Sequence, residues 1–223
     1  MRTKIILPIV AATALTLAQS GLAETLDFGA DLPRAGWTIV SFPGIPPASF
    51  KASKASTLEI STDASAGLLW RPFKQHVSKP YRAQWSWRAD EGVAATDLTK
   101  RGADDRVLGV YFVFGEAADA AKGPLSLLSS SSVTALVYVF GGDKPRGSVL
   151  SSPHMGSRGR FMVLRPAEAR KGIWFDENVD LPEDYVRAFA RMPPLLLAVA
   201  ISSDSDDTGA RNRAKLRDLT IGK

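Results

Sequence analysis

The sequence predicts a mainly β protein. We expect an antiparallel two-sheet sandwich, jelly-roll-like, as a single domain over residues 24–223, with one short helix near residues 181–191. Three observations lead to this fold class. Apolar residues fall in short runs that either alternate with polar residues or stay apolar throughout, as in half-buried and fully buried strands. Clusters of proline, glycine and serine separate these runs. Strands and helices do not alternate along the chain, which argues against an α/β enzyme fold.

Two strands form the predicted sheet centre: YRAQWSW at 81–87 and RVLGVYFVF at 106–114. Side chains alternate between the faces of a strand, so Trp85 and Trp87 share one aromatic face. The second run is apolar on both faces, which predicts a strand covered on both sides. The other predicted strands are WTIVSF from Trp37, TLEIS at 57–61, AGLLWRPF at 66–73, SVTALVYVF at 132–140, RFMVLRP at 160–166, LLLAVAIS at 195–202 and AKLRDLTIG at 214–222.

One stretch carries the signals of a helix. Asp180 is a candidate N-cap, Glu183 follows it at capping-box spacing, and Pro182 stands in the first turn, where its missing N–H costs little. Two prolines at 193–194 end the helix. The serine-rich stretch 115–132 is predicted to be a solvated loop.

The N-terminus has the pattern of a secretory signal peptide over residues 1–23. Arg2 and Lys4 precede an apolar core at 5–18, and Ala23 is a small residue before the expected cleavage point. The core is shorter than the roughly 18 residues of a membrane-spanning helix, so no membrane span is expected after cleavage. Cleavage lowers the formal net charge from +5 to +3. The mature protein is therefore expected to be exported, either periplasmic or secreted.

The composition excludes several functional classes. The chain has no cysteine, which rules out disulfides, thiol nucleophiles and thiolate metal sites. It contains no glycine-rich phosphate-binding motif and no H-E-x-x-H zinc motif. Basic residues are mixed with acidic ones, so nucleic acid has no basic stripe to follow. We predict a monomer without a catalytic cofactor.

The loop between the two central strands concentrates charge. It contains Asp97, Arg101, Asp104, Asp105 and Arg106. Guanidinium and carboxylate groups pair well geometrically, so one interpretation is a network of ion pairs that fixes the loop. The alternative is a ligand-binding site that uses Arg101, Asp104 and Asp105.

The aromatic face of Trp85 and Trp87 also has two interpretations. The first is packing in the core between the sheets, where aromatic side chains bury large areas. The second is a ligand-binding platform on which sugar rings stack. The alternation of the strand does not distinguish them.

A second acidic loop, SDSDDTG at 203–209, suggests a cation site. Its oxygen-bearing side chains begin like a calcium loop, but the twelfth position would be Lys215 where the EF-hand requires Glu. The loop is therefore not an EF-hand. A structural calcium ion held by Asp204, Asp206 and Asp207 is one possibility, and a solvated turn is the other.

The two acidic loops could form one site. If both lie at the same end of a sheet, Asp104 or Asp105 would face Asp204 or Asp207 across a cleft. Two carboxylates separated by about 5–10 Å are what glycosidic hydrolysis requires, one as acid and one as base or nucleophile.

Spaced motifs across the chain resemble a known family. They are LLWRPF at 68–73, QWSWR at 84–88, KRGADDR at 100–106, YVFG at 138–141, EDYVRAFAR at 183–191 and ISSDSDDTG at 201–209. The chain resembles domain-of-unknown-function family 3047, a family of exported bacterial proteins, from about Trp37 to Ile221. In fold it is also similar to the galactose-binding-like sandwiches of carbohydrate-binding modules. The family resemblance implies the domain and no chemistry.

The leading functional hypothesis is an exported, non-catalytic binding module for a carbohydrate or another envelope ligand. It follows from the predicted sandwich and from further tryptophans such as Trp37, Trp70 and Trp174. The second hypothesis is a polysaccharide hydrolase or lyase that uses paired aspartates. The third is a structural or protein-binding envelope protein.

Overall fold

The computed structural model describes residues 24–54, 56–77 and 81–222. The predicted signal peptide at 1–23 lies outside the described residues. Within the described ranges, no helix is both long enough and apolar enough to cross a membrane.

Two mainly antiparallel sheets make up the fold, as the sequence predicted. One sheet has six strands in the order β11-β6-β13-β4-β3, with β1 paired to β13, and the other has seven in the order β2-β5-β12-β7-β8-β10-β9. The strands are β1 (Glu24–Thr25), β2 (Thr38–Val40), β3 (Ser49–Lys54), β4 (Thr57–Asp63), β5 (Ala66–Val77), β6 (Arg82–Glu91), β7 (Arg106–Gly115), β8 (Thr134–Phe140), β9 (Val149–Ser152), β10 (Gly156–Arg165), β11 (Phe175–Asp180), β12 (Leu195–Asp204) and β13 (Arg211–Gly222).

Two features of the topology go beyond the prediction. β8 and β10 pair in parallel, whereas the other named strand pairs in the described chain are antiparallel. β1, β3, β9 and β11 form in segments where the sequence predicted no strand. All four segments are short, and each pairs with a longer strand: β1 with β13, β3 with β4, β9 with β10 and β11 with β6. Tertiary pairing therefore overrides weak local propensity.

The predicted helix is present as α2 (Leu181–Phe189), two residues shorter than expected. The side chain of Asp180 accepts a hydrogen bond from the backbone N–H of Glu183 at 3.0 Å, which confirms the N-cap. The helix ends at Ala190, whose backbone is left-handed with φ of 55°. Tyr185 anchors α2 to the end of the sandwich, because its ring packs 4.8 Å from that of Phe114.

The stretch 115–132 is not the open loop that its composition suggested. It contains a 3₁₀ turn (Ala117–Asp119) and a second helix, α1 (Pro124–Ser129). Asp119 is buried and accepts hydrogen bonds from Lys122 at 2.6 Å and from the hydroxyl of Ser132 at 2.8 Å. These bonds lower the pKa of Asp119 to about 2. Serines that look like a solvated linker therefore hold a buried carboxylate.

The core between the sheets is aromatic. Trp85 and Trp87 of β6 are both almost fully buried and face the larger sheet. The ring of Trp85 lies 5.5 Å from that of Tyr138, and the ring of Trp87 lies 5.6 Å from that of Phe140. Glu177 of β11 accepts a hydrogen bond from Trp87 Nε1 at 2.9 Å. The alternation in β6 thus directs its aromatic face into the core.

The larger sheet is apolar on its outer face as well. Alternate residues of its central strands, among them Tyr111, Val137 and Ala200, form a second buried cluster there. Leu98, from the loop before β7, and Leu127 of α1 belong to the same cluster. Two loop segments therefore cover this face, which confirms the prediction that β7 is covered on both sides.

Candidate functional site

A groove with a volume of about 600 Å³ opens on the outer face of the larger sheet, between the segments that cover it. Its floor carries polar and charged side chains at the adjoining ends of β7 and β12. Its walls are largely apolar and come from the chain before β3, from α1 and from the β9–β10 turn. The apolar residues lining it include Phe42, Ile45, Leu68, Leu125, Leu128, Val137, Met155 and Phe161.

Strand pairing brings the two acidic loops together. β7 and β12 are antiparallel, and Arg106 at the start of β7 lies opposite Asp204 at the end of β12. The loop that precedes β7 and the loop that follows β12 therefore meet at one end of the sheet. This is the arrangement that the sequence analysis set as the condition for a shared site.

Arg106 is the centre of the groove floor, and its side chain is only 4% exposed. Its Nη2 lies 3.1 Å from Asp204 Oδ2 and donates to the hydroxyl of Tyr111 at 2.7 Å. Its Nη1 donates to the carbonyl oxygen of Asp104 at 2.9 Å. Its guanidinium carbon also lies 5.0 Å from the ring centre of Phe161. A buried guanidinium with this many partners holds one orientation.

Asp204 is tied to Arg106 by two contacts, since its Oδ1 also accepts the backbone N–H of Arg106 at 3.0 Å. Burial raises the pKa of Asp204 to about 7, while the positive charge of Arg106 lowers it and the charge of Asp104 raises it. Burial also raises the pKa of Tyr111. The floor is therefore a low-dielectric site in which charge is expensive unless it is paired.

Asp104 connects the floor to the exposed edge of the groove. Its carboxylate is buried and lies 3.1 Å from Nε2 of His154, which is 59% exposed at the β9–β10 turn. The hydrogen bond to Asp104 raises the pKa of His154. Asp104 thus has Arg106 on its inner side and an exposed imidazole on its outer side.

Asp105 is buried and has a structural role. Its carboxylate accepts the backbone N–H groups of Asp207 at 3.3 Å and of Thr208 at 2.8 Å, and also the Thr208 hydroxyl at 2.5 Å. These three bonds clamp the loop that follows β12. Asp105 fixes the edge of the groove and does not line it.

The family model described as "Protein of unknown function (DUF3047)" matches residues 35–220, most of the chain. The chain belongs to this family. No curated protein matches this chain.

Solved structures resemble this DUF3047 member at low identity. The xyloglucanase domain of NopAA, a type three effector from Sinorhizobium fredii in complex with cellobiose, is 8% identical; 90% of this chain and 97% of that chain are covered, with a TM-score of 0.45. CBM29_1, a family 29 carbohydrate-binding module from Piromyces equi, is 8% identical over 92% of each chain, with a TM-score of 0.42. Winged bean acidic lectin complexed with methyl-α-D-galactose is 9% identical over 90% of this chain and 98% of that chain, with a TM-score of 0.47.

The sequence-predicted ligand residues divide into three groups in this DUF3047 member. Asp104 lines the groove, and its role in ligand binding stays a prediction. Arg101 is exposed, and its Nε donates to the carbonyl oxygen of Pro153 at 3.1 Å, so it braces the β9–β10 turn. Trp85 and Trp87 cannot form a sugar platform, because both are buried between the sheets.

The further tryptophans do not form a platform either. Trp37 and Trp70 are buried. Trp174 is half-buried beside two guanidinium groups, with the carbon of Arg217 4.2 Å and that of Arg88 5.5 Å from its ring centre. Aromatic composition was therefore a poor guide to a ligand surface.

The predicted cation residues all line the groove: Asp204, Asp206 and Asp207. Asp204 is paired with Arg106. In the part of the chain that the structure describes, no group of three or more acidic or histidine side chains is arranged to hold a metal ion. The calcium site stays a prediction, without a ligand cluster to support it.

Sequence reasoning missed Tyr111, His154 and the α1 wall. The β12–β7 pairing shifts register between Ser202 and Asp204. This shift is one physical reason why sequence alternation did not place Arg106 and Tyr111 together in the groove floor. The shift turns Arg106 to the same face as Tyr111, although the two are an odd number of residues apart. Strict alternation would have placed Arg106 on the core side.

Proposed function

We propose that this protein is an exported binding protein whose groove takes a carbohydrate or a similarly polyhydroxylated envelope ligand. One observation carries the proposal: a groove on a rigid sheet face combines apolar walls with a floor of buried, mutually bonded polar groups. We further propose that it acts as a monomer in the periplasm or outside the cell.

The chemistry of the groove suits a sugar. Sugar rings present C–H faces and hydroxyl groups on the same molecule, so they need apolar contact and fixed hydrogen-bonding partners together. Phe42 and Met155 supply apolar surface at the walls, and Asp104 and His154 supply acceptor and donor groups at the edge. The volume of about 600 Å³ lies within the range of small-ligand sites.

The floor is preorganised. Arg106 is held by Asp204, Tyr111 and the backbone of Asp104 at distances of 3.1 Å, 2.7 Å and 2.9 Å. A ligand that binds against these groups does not have to order them, which lowers the entropic cost of binding.

Binding to soluble oligosaccharides drawn from bacterial envelope polymers tests the proposal. Glycan-array screening followed by calorimetry on the purified mature protein would give the affinities. We expect Phe42→Ala at the wall and Asp104→Asn at the edge each to weaken binding about tenfold or more, the loss of a well-placed contact. Val186→Ala is the matched control, since Val186 is an exposed apolar residue on α2. Absence of binding across the whole panel would overturn the proposal.

Export has a separate test. If residues 1–23 are a signal peptide, mass spectrometry of the protein from the periplasm or culture medium will find an N-terminus at Glu24. A protein that retains residues 1–23 in the cytoplasm would contradict this part of the proposal.

A hydrolase is the second candidate, because Asp204 has a pKa of about 7, raised by burial, and lies close to the second carboxylate that flanks Arg106. A carboxyl group with a raised pKa is what a general acid requires. Binding is better supported, since both oxygens of Asp204 are engaged by Arg106. Release of reducing ends from a bound polysaccharide, lost in Asp204→Asn with the fold retained, would favour hydrolysis.

A further inference from the structure

The groove carries more negative than positive charge on a chain that is positively charged overall. Four carboxylates line it, against two guanidinium groups and one imidazole. The whole chain has a formal net charge of +5. The acidic residues are Asp104, Asp204, Asp206 and Asp207, and the basic ones are Arg106, Arg158 and His154.

The two guanidinium groups form ion pairs or hydrogen bonds within the protein. Arg106 is paired with Asp204, and its Nε, which lacks an acceptor within the described residues, lies over the backbone of β7 near Gly109. Arg158 uses its Nη1 to donate to three carbonyl oxygens around the end of α1, those of Leu128 at 3.0 Å, Ser130 at 2.8 Å and Val133 at 3.3 Å. Protein oxygens therefore hold both groups, Arg106 through Nη1 and Nη2 and Arg158 through Nη1.

The two carboxylates at the edge of the groove, those of Asp206 and Asp207, have no cationic partner within the described residues. Asp206 is half-buried and Asp207 is exposed, and neither forms an ion pair within the described part of the chain. Burial raises the pKa of both, and the negative charges of Asp104 and Asp105 raise it further. Their mutual repulsion is what a bound positive charge would relieve.

An organic cation fits this groove better than a metal ion. In the described ranges, no three acidic or histidine side chains converge as metal ligands, and the groove walls include Phe42 and Leu125. Apolar walls match the C–H faces of a sugar ring, while carboxylates at the edge match an ammonium group on that ring.

We propose that the groove selects sugars that carry a protonated amine, and that Asp206 and Asp207 determine this selectivity. The inference rests on the proposed function, because it names the chemical class of the ligand for the same groove. An acidic sugar would meet uncompensated carboxylates at the edge, so the same residues exclude it.

Four oligosaccharides of equal length test the selectivity by calorimetry on the mature protein. They are an oligomer of glucosamine, its fully N-acetylated form, an oligomer of glucose and an oligomer of galacturonic acid. N-acetylation keeps the ring and removes the charge, so it isolates the contribution of the amine. We expect the amine form to bind about tenfold more tightly than the N-acetylated form, a difference of about 1.4 kcal/mol. The preference should shrink as salt is added, since the carboxylates lie at the groove edge.

The variant Asp206→Asn/Asp207→Asn keeps the shape of both side chains and removes their charge. We expect it to reduce the tenfold preference for the amine to less than about twofold. Glu91→Gln is the matched control, because Glu91 pairs with Arg213 away from the groove. It should retain the full preference.

The possible results distinguish the proposed selectivity from the proposed binding function. Equal binding of amine and N-acetylated forms, or tighter binding of the acidic oligomer, would overturn the selectivity and leave the binding function standing. Binding of none of the four would also count against the carbohydrate function. Competition by calcium chloride at concentrations that magnesium chloride cannot match would assign the carboxylates to a metal ion and overturn the amine proposal.

Discussion

Replacing Arg106 with methionine removes the charge on which the groove floor is organised and keeps an unbranched apolar side chain in its place. The guanidinium contacts Asp204 at 3.1 Å and Asp104 at 3.7 Å, and its side chain is 4% exposed. Removing one member of a buried ion pair typically costs about 3–5 kcal/mol, because the other charge stays buried without a partner. For a domain of this size that loss lowers the melting temperature by about 6–20 °C.

The loss should depend on pH, and its sign follows from Asp204. The pKa of this group in the folded protein is about 7, against an ordinary value of 3.8, so its favourable contribution is complete below 3.8 and is lost as pH rises through 7. Arg106 lowers this pKa, so its removal raises it further and enlarges the loss at high pH. Arg106→Met should therefore destabilise the protein more at about pH 8 than at about pH 5.

Urea denaturation at the two pH values measures both quantities. The double variant Arg106→Met/Asp204→Asn removes the stranded charge as well, so it should regain part of the stability lost in the single variant. A loss below about 1 kcal/mol, a loss that is equal at the two pH values, or a double variant less stable than the single one would refute the reasoning.

Four further substitutions test other parts of the structure. Trp87→Phe should lower the free energy of unfolding by about 1–2 kcal/mol in urea denaturation, because it removes the Nε1–H that donates to Glu177. Trp85→Phe should lower it less, since Trp85 Nε1 has no partner within the described residues. His154→Ala should destabilise the protein at about pH 5 and not at about pH 8.5, because the raised pKa of His154 makes its ion pair stabilising below 6.5 and ineffective above the folded-state pKa. Asp105→Ala should accelerate hydrogen exchange in the loop after β12, whose backbone N–H groups it accepts, while the strand amides stay protected.

The fold class followed from the sequence because its determinants are local. Alternating and fully apolar runs indicated the central strands, and the N-cap at Asp180 with Pro182 indicated α2. The strands that were missed, β1, β3, β9 and β11, are stabilised by neighbours and not by their own composition. Short polar strands at the edge of a sheet leave no periodic signal, because their pairing comes from tertiary structure.

The candidate site followed from the sequence only in part. That Asp104 and Asp204 would meet could be anticipated from two acidic loops on antiparallel strands. The role of Arg106 could not, because the register shift beside it breaks the alternation of β7. His154 comes from a distant turn whose position depends on packing, so nothing in the chain linked it to Asp104 in advance.

The aromatic strand β6 illustrates how burial and function can give the same pattern. The alternating sequence pattern that contains Trp85 and Trp87 is identical whether its aromatic face contacts solvent or another sheet. The opposing sheet determines that this face is buried, since its Tyr138 and Phe140 contact the two tryptophan rings. Both strands of that contact contribute apolar residues facing each other, and burying them is worth more than exposing a stacking surface.

The groove is a consequence of how the second apolar face is covered. The outer residues of the larger sheet, such as Tyr111 and Val137, must be shielded from water, and loops and one short helix provide the shield. Irregular segments cover a sheet less completely than a second sheet would, so a gap remains where α1 approaches the β9–β10 turn. At the floor of that gap, the ends of β7 and β12 would leave polar groups in a low-dielectric site, and the pairing of Arg106 with Asp204 compensates them. The same pairing supplies the fixed polar floor of the groove, so the proposed recognition would depend on an ion pair that also stabilises the fold.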